Sequence, residues 1–189
     1  MLIPLQLATP RLLLRPLEER DRIPFRALNA DPIVMRFYAA PLTPAESDEA
    51  FARYQSNQAR EGFSLFAAEL KETGAFVGII GMQTMSFAIP DLPQPAVEIG
   101  WRLTQAAQGR GLATEGARRI VDHAFNTLRL AGVVAVTVPV NSPSRNVMHK
   151  LGMEHRPDLT FDHPKVPAGH AFRPHVLYTL TNPARSTGS

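Results

Sequence analysis

The segment Gln105-Ala106-Ala107-Gln108-Gly109-Arg110-Gly111-Leu112-Ala113-Thr114 constrains this chain more than any other. It follows a strand-like run, Pro95–Leu103, and opens a helical pattern carried by Leu112, Gly116, Ile120, Ala124 and Leu128. Two glycines around one arginine leave no Cβ between the backbone N–H groups and an approaching anion. The helix that starts there adds its own N-terminal N–H groups and the positive end of its dipole, so the corner suits a phosphate. Two common nucleotide motifs do not fit. A P-loop ends in Gly-Lys-Ser/Thr, and the chain contains no Gly-Lys pair. The dinucleotide pattern needs a third glycine where Thr114 stands, after an N-terminal parallel strand. Taken alone, the segment equally describes a helix that starts after a glycine-rich turn.

The flanking sequence supplies alternating element types. Arg11–Leu17 reads as a strand closed by Pro16, and Glu18–Ala30 as a helix. Asp31-Pro32 offers a cap and a first-turn proline, which predicts a short helix through Tyr38. Thr43-Pro44-Ala45-Glu46 is a capping box, opening a helix to about Arg60 that buries Ala50, Phe51 and Tyr54. Phe63–Leu70 and Ala75–Met85 flank a polar turn and form a hairpin. Pro95–Leu103 and Val133–Val140 are strands, and Gly111–Leu130 is the long helix between them. Ser142–Leu151 is a short helix ended by Gly152, and Met153–Phe161 and His175–Thr181 are further strands. The order β-α-α-α-β-β-β-α-β-α-β-β predicts an α/β (α+β) fold, a mixed sheet with helices on both faces.

Composition narrows the function classes. A length of 189 residues suits one domain over residues 1–181, with a polar, flexible tail over 182–189. The absence of cysteine excludes disulfides, thiolate metal sites and a thiol nucleophile. A formal charge of +3, with no aromatics interleaved among the arginines, argues against a nucleic-acid face. The start Met1–Gln6 lacks a basic region, and no apolar run approaches the ~18 residues of a membrane span. A cytoplasmic protein without membrane contact is expected. Three of the six histidines fall within Phe161–His175, but their irregular spacing does not make a metal site.

Three motifs in sequence carry a resemblance. Gln108-Gly109-Arg110-Gly111-Leu112-Ala113 fits the Gln/Arg-x-x-Gly-x-Gly/Ala acetyl-CoA signature of the GNAT N-acetyltransferases. Asn141-Ser142-Pro143-Ser144 followed by Lys150-Leu151-Gly152-Met153 resembles that family's Asn-x-x-Ser…Lys-Leu-Gly-Phe segment. Thr9-Pro10-Arg11-Leu12-Leu13-Leu14-Arg15-Pro16-Leu17…Asp21, with Thr114-Glu115, is similar to the RimJ/RimL-like branch. The resemblance spans Thr9 to Met153. It implies a GNAT-like domain whose mostly antiparallel central sheet is splayed in the middle. The implied activity is acetyl transfer from acetyl-CoA directly to a primary amine in a sequential ternary complex, with no metal. The acceptor would be a small-molecule amine or a protein N-terminus, and a homodimer is admissible.

The resemblance also distributes roles. Gln108, Gly109, Arg110, Gly111, Leu112, Ala113 and Thr114 would hold the pyrophosphate. Ile99, Trp101 and Leu103 lie on the strand Glu98–Leu103, which would pair with the pantetheine arm as an added strand. Pro139 lacks an N–H, consistent with a strand end that is not fully laddered, or simply with a strand end. Asn141 would bind the pantetheine or acetyl region, or cap the helix that follows, or both. Many family members protonate the departing sulfur with a tyrosine at the position of Met148 here. Ser144 is the substitute that the branch implies, against a cofactor-contacting or first-turn structural role. Glu98 is the candidate base, acting through a water; alternatively it faces outward or pairs with Arg102. His163 and His170 either contact the acceptor or belong to an ordered loop. Met148 also motivates a second class, a non-catalytic acyl-CoA-binding module. With no cysteine to carry an acetyl group, direct attack by the amine is the simplest path.

Overall fold

A computed structural model of the chain describes residues 5–185. Its strands are β1 (Leu7–Ala8), β2 (Leu12–Arg15), β3 (Leu65–Leu70), β4 (Phe76–Thr84), β5 (Val97–Leu103), β6 (Gly132–Thr137), β7 (Glu154–Asp162) and β8 (Pro174–Thr181). Its helices are α1 (Arg22–Ala30), α2 (Pro44–Glu61), α3 (Leu112–Asp122) and α4 (Ser142–Lys150). The strands follow the order β1-β2-β3-β4-β5-β6-β8-β7 in an eight-stranded sheet, a mixed α/β arrangement. Antiparallel pairing joins β1 to β2, β2 to β3, β3 to β4, β6 to β8 and β8 to β7, while β5 and β6 are parallel. Among the described residues no helix is long and apolar enough to cross a membrane. Two compact units make up the chain: one runs to Gln83 and adds Gly100–Ile120, the other takes Thr84–Ile99 and continues from Val121.

In the first unit, α2 starts as its sequence dictates. Thr43 Oγ1 accepts from the Glu46 N–H at 3.2 Å, and Glu46 Oε2 accepts from the Thr43 N–H at 2.8 Å. The helix lays Ala50, Phe51 and Tyr54 against Leu17, Phe25, Leu28, Leu65, Ala67 and Ile79. Phe25 meets Phe51 and Tyr54 edge-on, at centroid distances of 5.6 and 6.1 Å. In the β3–β4 hairpin, Leu65 lies opposite Gly81. A Cβ at Gly81 would stand 2.1 Å from the Ser64 carbonyl oxygen, so only glycine fits there.

The short helix expected from Asp31 to Tyr38 is not formed; the segment is a series of turns. The capping signal itself is real. Asp31 Oδ1 accepts from the N–H groups of Ile33 (2.8 Å) and Val34 (3.2 Å), and the Met35 N–H bonds the Asp31 carbonyl at 2.9 Å. One helical turn then gives way to a tighter one, Tyr38 N–H to the Met35 carbonyl at 2.8 Å, and Leu42 returns to the Asn29 carbonyl at 2.9 Å. A first turn fixes several dihedrals for one hydrogen bond, so a cap without propagating bonds does not make a helix.

In the second unit, Glu98 on β5 lies opposite Val134 on β6, and β6 pairs with β8 from Gly132↔Thr181 to Thr137↔Val176. Met85, Ile89, Leu92, Ala96, Val134, Leu159 and Leu177 form its core. The strand expected to reach Val140 ends at Thr137, because Pro139 has no N–H and the Asn141 N–H turns back to the Val138 carbonyl at 3.0 Å. The helix expected through Leu130 is α-helical to Asp122 and then widens into a π-helical turn over His123–Thr127. Arg129, at a φ of +57°, closes it, with the Leu130 N–H bonding the Ala124 carbonyl at 2.9 Å. Asn182 is buried beneath that end: its Nδ2 donates to the Leu130 carbonyl at 2.9 Å and the Phe125 carbonyl at 3.4 Å.

Candidate functional site

The glycine turn leaves β5 through a single 3₁₀ turn, Gln105–Ala107, and enters α3 at Leu112. Gly109 and Gly111 take left-handed φ angles of +72° and +79°, one on each side of the exposed Arg110. A Cβ added at Gly109 would meet nothing within 4 Å, so the backbone there borders open space. The Glu115 N–H is the first to close a helical bond, to the Gly111 carbonyl at 3.0 Å. The N–H groups of Leu112, Ala113 and Thr114 therefore have no partner within the helix, the arrangement that favours an anion at its N-terminus. These residues fit a phosphate group. Leu112 and Thr114 point inward and are buried, so their contribution to such a group is main-chain.

Side chains brace the turn from behind. Gln108 Nε2 donates to the Leu103 carbonyl at 3.0 Å, and its Oε1 accepts from Arg36 Nη1 at 3.5 Å. Glu115 ties the turn to the start of the chain. It accepts from Thr9 Oγ1 at 2.6 Å, the Arg11 N–H at 2.8 Å and Arg11 Nε at 2.7 Å, while Arg11 Nη1 donates to the Arg110 carbonyl at 3.0 Å. Burial pushes the Glu115 carboxyl upward, but the bonds from Thr9 and Arg11 outweigh it and hold it below the usual range. Thr9-Pro10-Arg11 and Thr114-Glu115 are thus two halves of one contact, which charge alone does not single out among 20 basic and 17 acidic side chains. Trp101 is half-buried on β5, whereas Ile99 and Leu103 are core residues.

Asn141 sits at the N-terminus of α4 and commits both amide hydrogens locally, while its Oδ1 accepts one local bond and keeps a second lone pair. Its Oδ1 accepts from the Ser144 N–H at 3.2 Å; its Nδ2 donates to Thr137 Oγ1 at 2.9 Å and Ser144 Oγ at 3.1 Å. Ser144 Oγ is an acceptor in that pair, so its own proton remains available to another group. Met148 is buried at 2% exposure, one helical turn further along. Glu98 is half-buried. Arg102, weighed as its partner, directs its guanidinium to Asn29 Oδ1, to Tyr38 OH at 3.4 Å and over the Tyr38 ring at 4.5 Å.

The histidine-rich segment packs on itself. The His163 ring lies 4.7 Å from that of His175 and 5.0 Å from that of Phe87, and its Nδ1 accepts from the Lys165 N–H at 3.2 Å. Burial, with His175 and Lys165 alongside, lowers its pKa to about 4. His170 Nδ1 likewise accepts from the Phe172 N–H at 3.0 Å. Both rings therefore shape the β7–β8 connection, and no cluster of three metal-ligating side chains occurs among the described residues.

Comparison with known proteins identifies the family. Residues 11–154 match the acetyltransferase (GNAT) domain. The uncharacterized protein YkkB of Bacillus subtilis strain 168 is 33% identical over 151 residues, covering 79% of this chain and 86% of that protein. FsC-acetyl coenzyme A-N(2)-transacetylase of Aspergillus fumigatus is 32% identical over 160 residues, 79% of this chain and 65% of that one. Mycobacterium smegmatis RimJ, solved in complex with CoA-disulfide, shares the fold with a TM-score of 0.73 at 22% identity, over 94% of this chain and 88% of its own. The glycine turn and the Asn141 helix cap both lie inside the matched span, and the chain belongs to the GNAT family of acetyl-CoA-dependent acetyltransferases.

Proposed function

We propose that the chain acetylates a primary amine directly, in a ternary complex, and that the acceptor is a small molecule. The observation that carries the reading is the Asn141–Ser144 pair, in which the amide occupies Ser144 Oγ as acceptor and leaves its proton to give. Acetyl-CoA supplies an activated acyl group as a thioester. The turn from Gln108 to Thr114 holds its pyrophosphate through backbone N–H groups, with Arg110 adding charge at the edge. The main chain of Glu98–Leu103 pairs with the pantetheine arm, and Asn141 adds a side-chain contact. Ser144 gives a proton to the departing sulfur. Glu98 takes the proton of the amine through a water, so that the nitrogen attacks uncharged.

One observation favours a small acceptor over a basic protein N-terminus. Many acidic side chains are already committed to the chain's own arginines: Asp21 and Glu69 to Arg15, Asp48 to Arg26, Asp158 to Arg156 and Asp162 to Arg173. Paired in this way, these carboxylates attract a cationic peptide less strongly.

Thiol release from acetyl-CoA tests the reading without background, because the protein has no cysteine of its own. Purified protein is assayed with a panel of small amines, with N-terminal peptides and with no acceptor. Release that depends on small amines is expected. Turnover on peptides alone overturns the acceptor class, and acetyl-CoA binding without acceptor-dependent release overturns the reaction.

A further inference from the structure

Arg145 lies one residue beyond Ser144, in the first turn of α4, and the family motif gives it no role. Its guanidinium joins two parts of the second unit that are distant along the chain. Nε donates to Tyr178 OH at 3.0 Å, and Nη1 donates to the Pro139 carbonyl at 3.1 Å. Tyr178 is a fixed anchor. It is fully buried on β8, opposite Ala135 of β6 and His155 of β7, with the His155 ring stacked at 4.8 Å and the His149 ring edge-on at 5.4 Å. Pro139 lies in the turn that leads from β6 to Asn141, where strand pairing has ended. The Arg145 N–H also bonds the Asn141 carbonyl at 3.1 Å.

We propose that Arg145 is a positioning residue: its guanidinium pins the turn before α4 to Tyr178 and so fixes where the Asn141–Ser144 pair stands. The inference rests on the reading of Ser144 as proton donor. Within the turn over 138–141 the bonds are local, from the Asn141 N–H to the Val138 carbonyl at 3.0 Å and from the Ser142 N–H to the Val140 carbonyl at 2.9 Å, while Pro139 has no N–H and Pro139 and Val140 are exposed, so Arg145 supplies the tie from this turn to β8. A planar guanidinium reaches both acceptors at once from a fixed fork, whereas a lysine ammonium is a single point charge on a flexible stem. Misplacement of a reacting group by about 1 Å costs up to about 10²-fold in rate, so a loosened turn registers in kcat before it registers in affinity.

The test compares Arg145→Lys, Arg145→Ala and Tyr178→Phe with Ser144→Ala and the pair Arg145→Lys/Ser144→Ala. For Arg145→Lys the expected result is a kcat lowered by about 10-fold, with the KM for acetyl-CoA within about 2-fold. Added guanidinium should restore part of the activity of Arg145→Ala, which a purely structural defect would not allow. The pair should be no slower than Ser144→Ala alone, because the arginine acts through that serine. Amide exchange in the unliganded protein supplies a readout apart from activity: the N–H groups of Asn141, Ser142, Ser144 and residue 145 should exchange faster in Arg145→Lys and Tyr178→Phe. Wild-type kcat in Arg145→Lys, unchanged exchange at 141–145, or fully multiplicative losses in the pair would each overturn the proposal. If Ser144→Ala keeps wild-type kcat while exchange at 141–145 still rises in Arg145→Lys, the proton-donor reading fails and the pinning stands.

Discussion

Arg15 on β2 makes a buried ionic cluster whose two sides should respond unequally to mutation. Its Nη1 and Nη2 meet Asp21 Oδ2 and Oδ1 at 2.7 and 2.9 Å, and Nη2 also meets Glu69 Oε2 at 2.8 Å. The side chains of Arg15 and Asp21 are each 3% exposed, and that of Glu69 is 15% exposed. In Arg15→Met, Asp21 keeps the N–H of Glu18 but stands buried without a counter-charge. Breaking a buried pair in this way costs about 3–5 kcal/mol. In Asp21→Asn, Arg15 retains Glu69, and the loss is that of charge-assisted hydrogen bonds, about 1.5–3 kcal/mol. For a chain of this size each kcal/mol lowers Tm by about 2–4 °C, which makes roughly 6–20 °C for Arg15→Met and roughly 3–12 °C for Asp21→Asn. Thermal unfolding followed by circular dichroism measures both. Arg15→Met combined with Asp21→Leu should recover much of the loss. An Arg15→Met protein that melts above Asp21→Asn at pH 7 would refute this account.

Ser144→Ala should lower kcat by about 10²-fold, the low end for a general acid, with acetyl-CoA affinity little changed; calorimetric titration and thiol release separate the two. Gly109→Ala puts a side chain in a left-handed conformation at a cost of roughly 1–2 kcal/mol, so the unliganded turn should relax out of that shape, and recovering it on binding should raise the dissociation constant for acetyl-CoA by about 10-fold in calorimetry. An unchanged constant would remove the turn from the pyrophosphate. His163 is neutral in the fold with a pKa of about 4, below an unfolded value of about 6.5, so protons bind the unfolded chain more strongly between those values. Stability in urea should therefore decline as pH falls through that window, and His163→Phe should flatten the decline.

Legibility along the chain follows the range of the forces involved. The box at Thr43–Glu46 closes within four residues, and the hairpin of β3 and β4 joins two apolar runs over a local turn, so both are readable from sequence. Asp31 shows the limit: its cap is local, but whether a helix continues depends on where Tyr38 and Leu42 find their partners. β1 is two residues long and paired only through Leu13 and Leu14, too short for any pattern to reveal. At the site, the glycines announce themselves because their chemistry is in the backbone. The bonds of Glu115 to Thr9 and Arg11 span about a hundred positions, and those of Arg145 depend on Tyr178, which a linear motif does not contain.

Asn182 carries a consequence for how the chain acquires its shape. The carbonyls of Phe125 and Leu130 receive their donor from a residue more than fifty positions later, near the end of the described chain. The long helix that begins at the glycine turn can form early, but its far end stays unfinished until β8 has been laid down and Asn182 follows it into place. A ribosome-bound chain stopped before Asn182 should thus hold a helix frayed at His123–Thr127, sealed only when the final strand emerges.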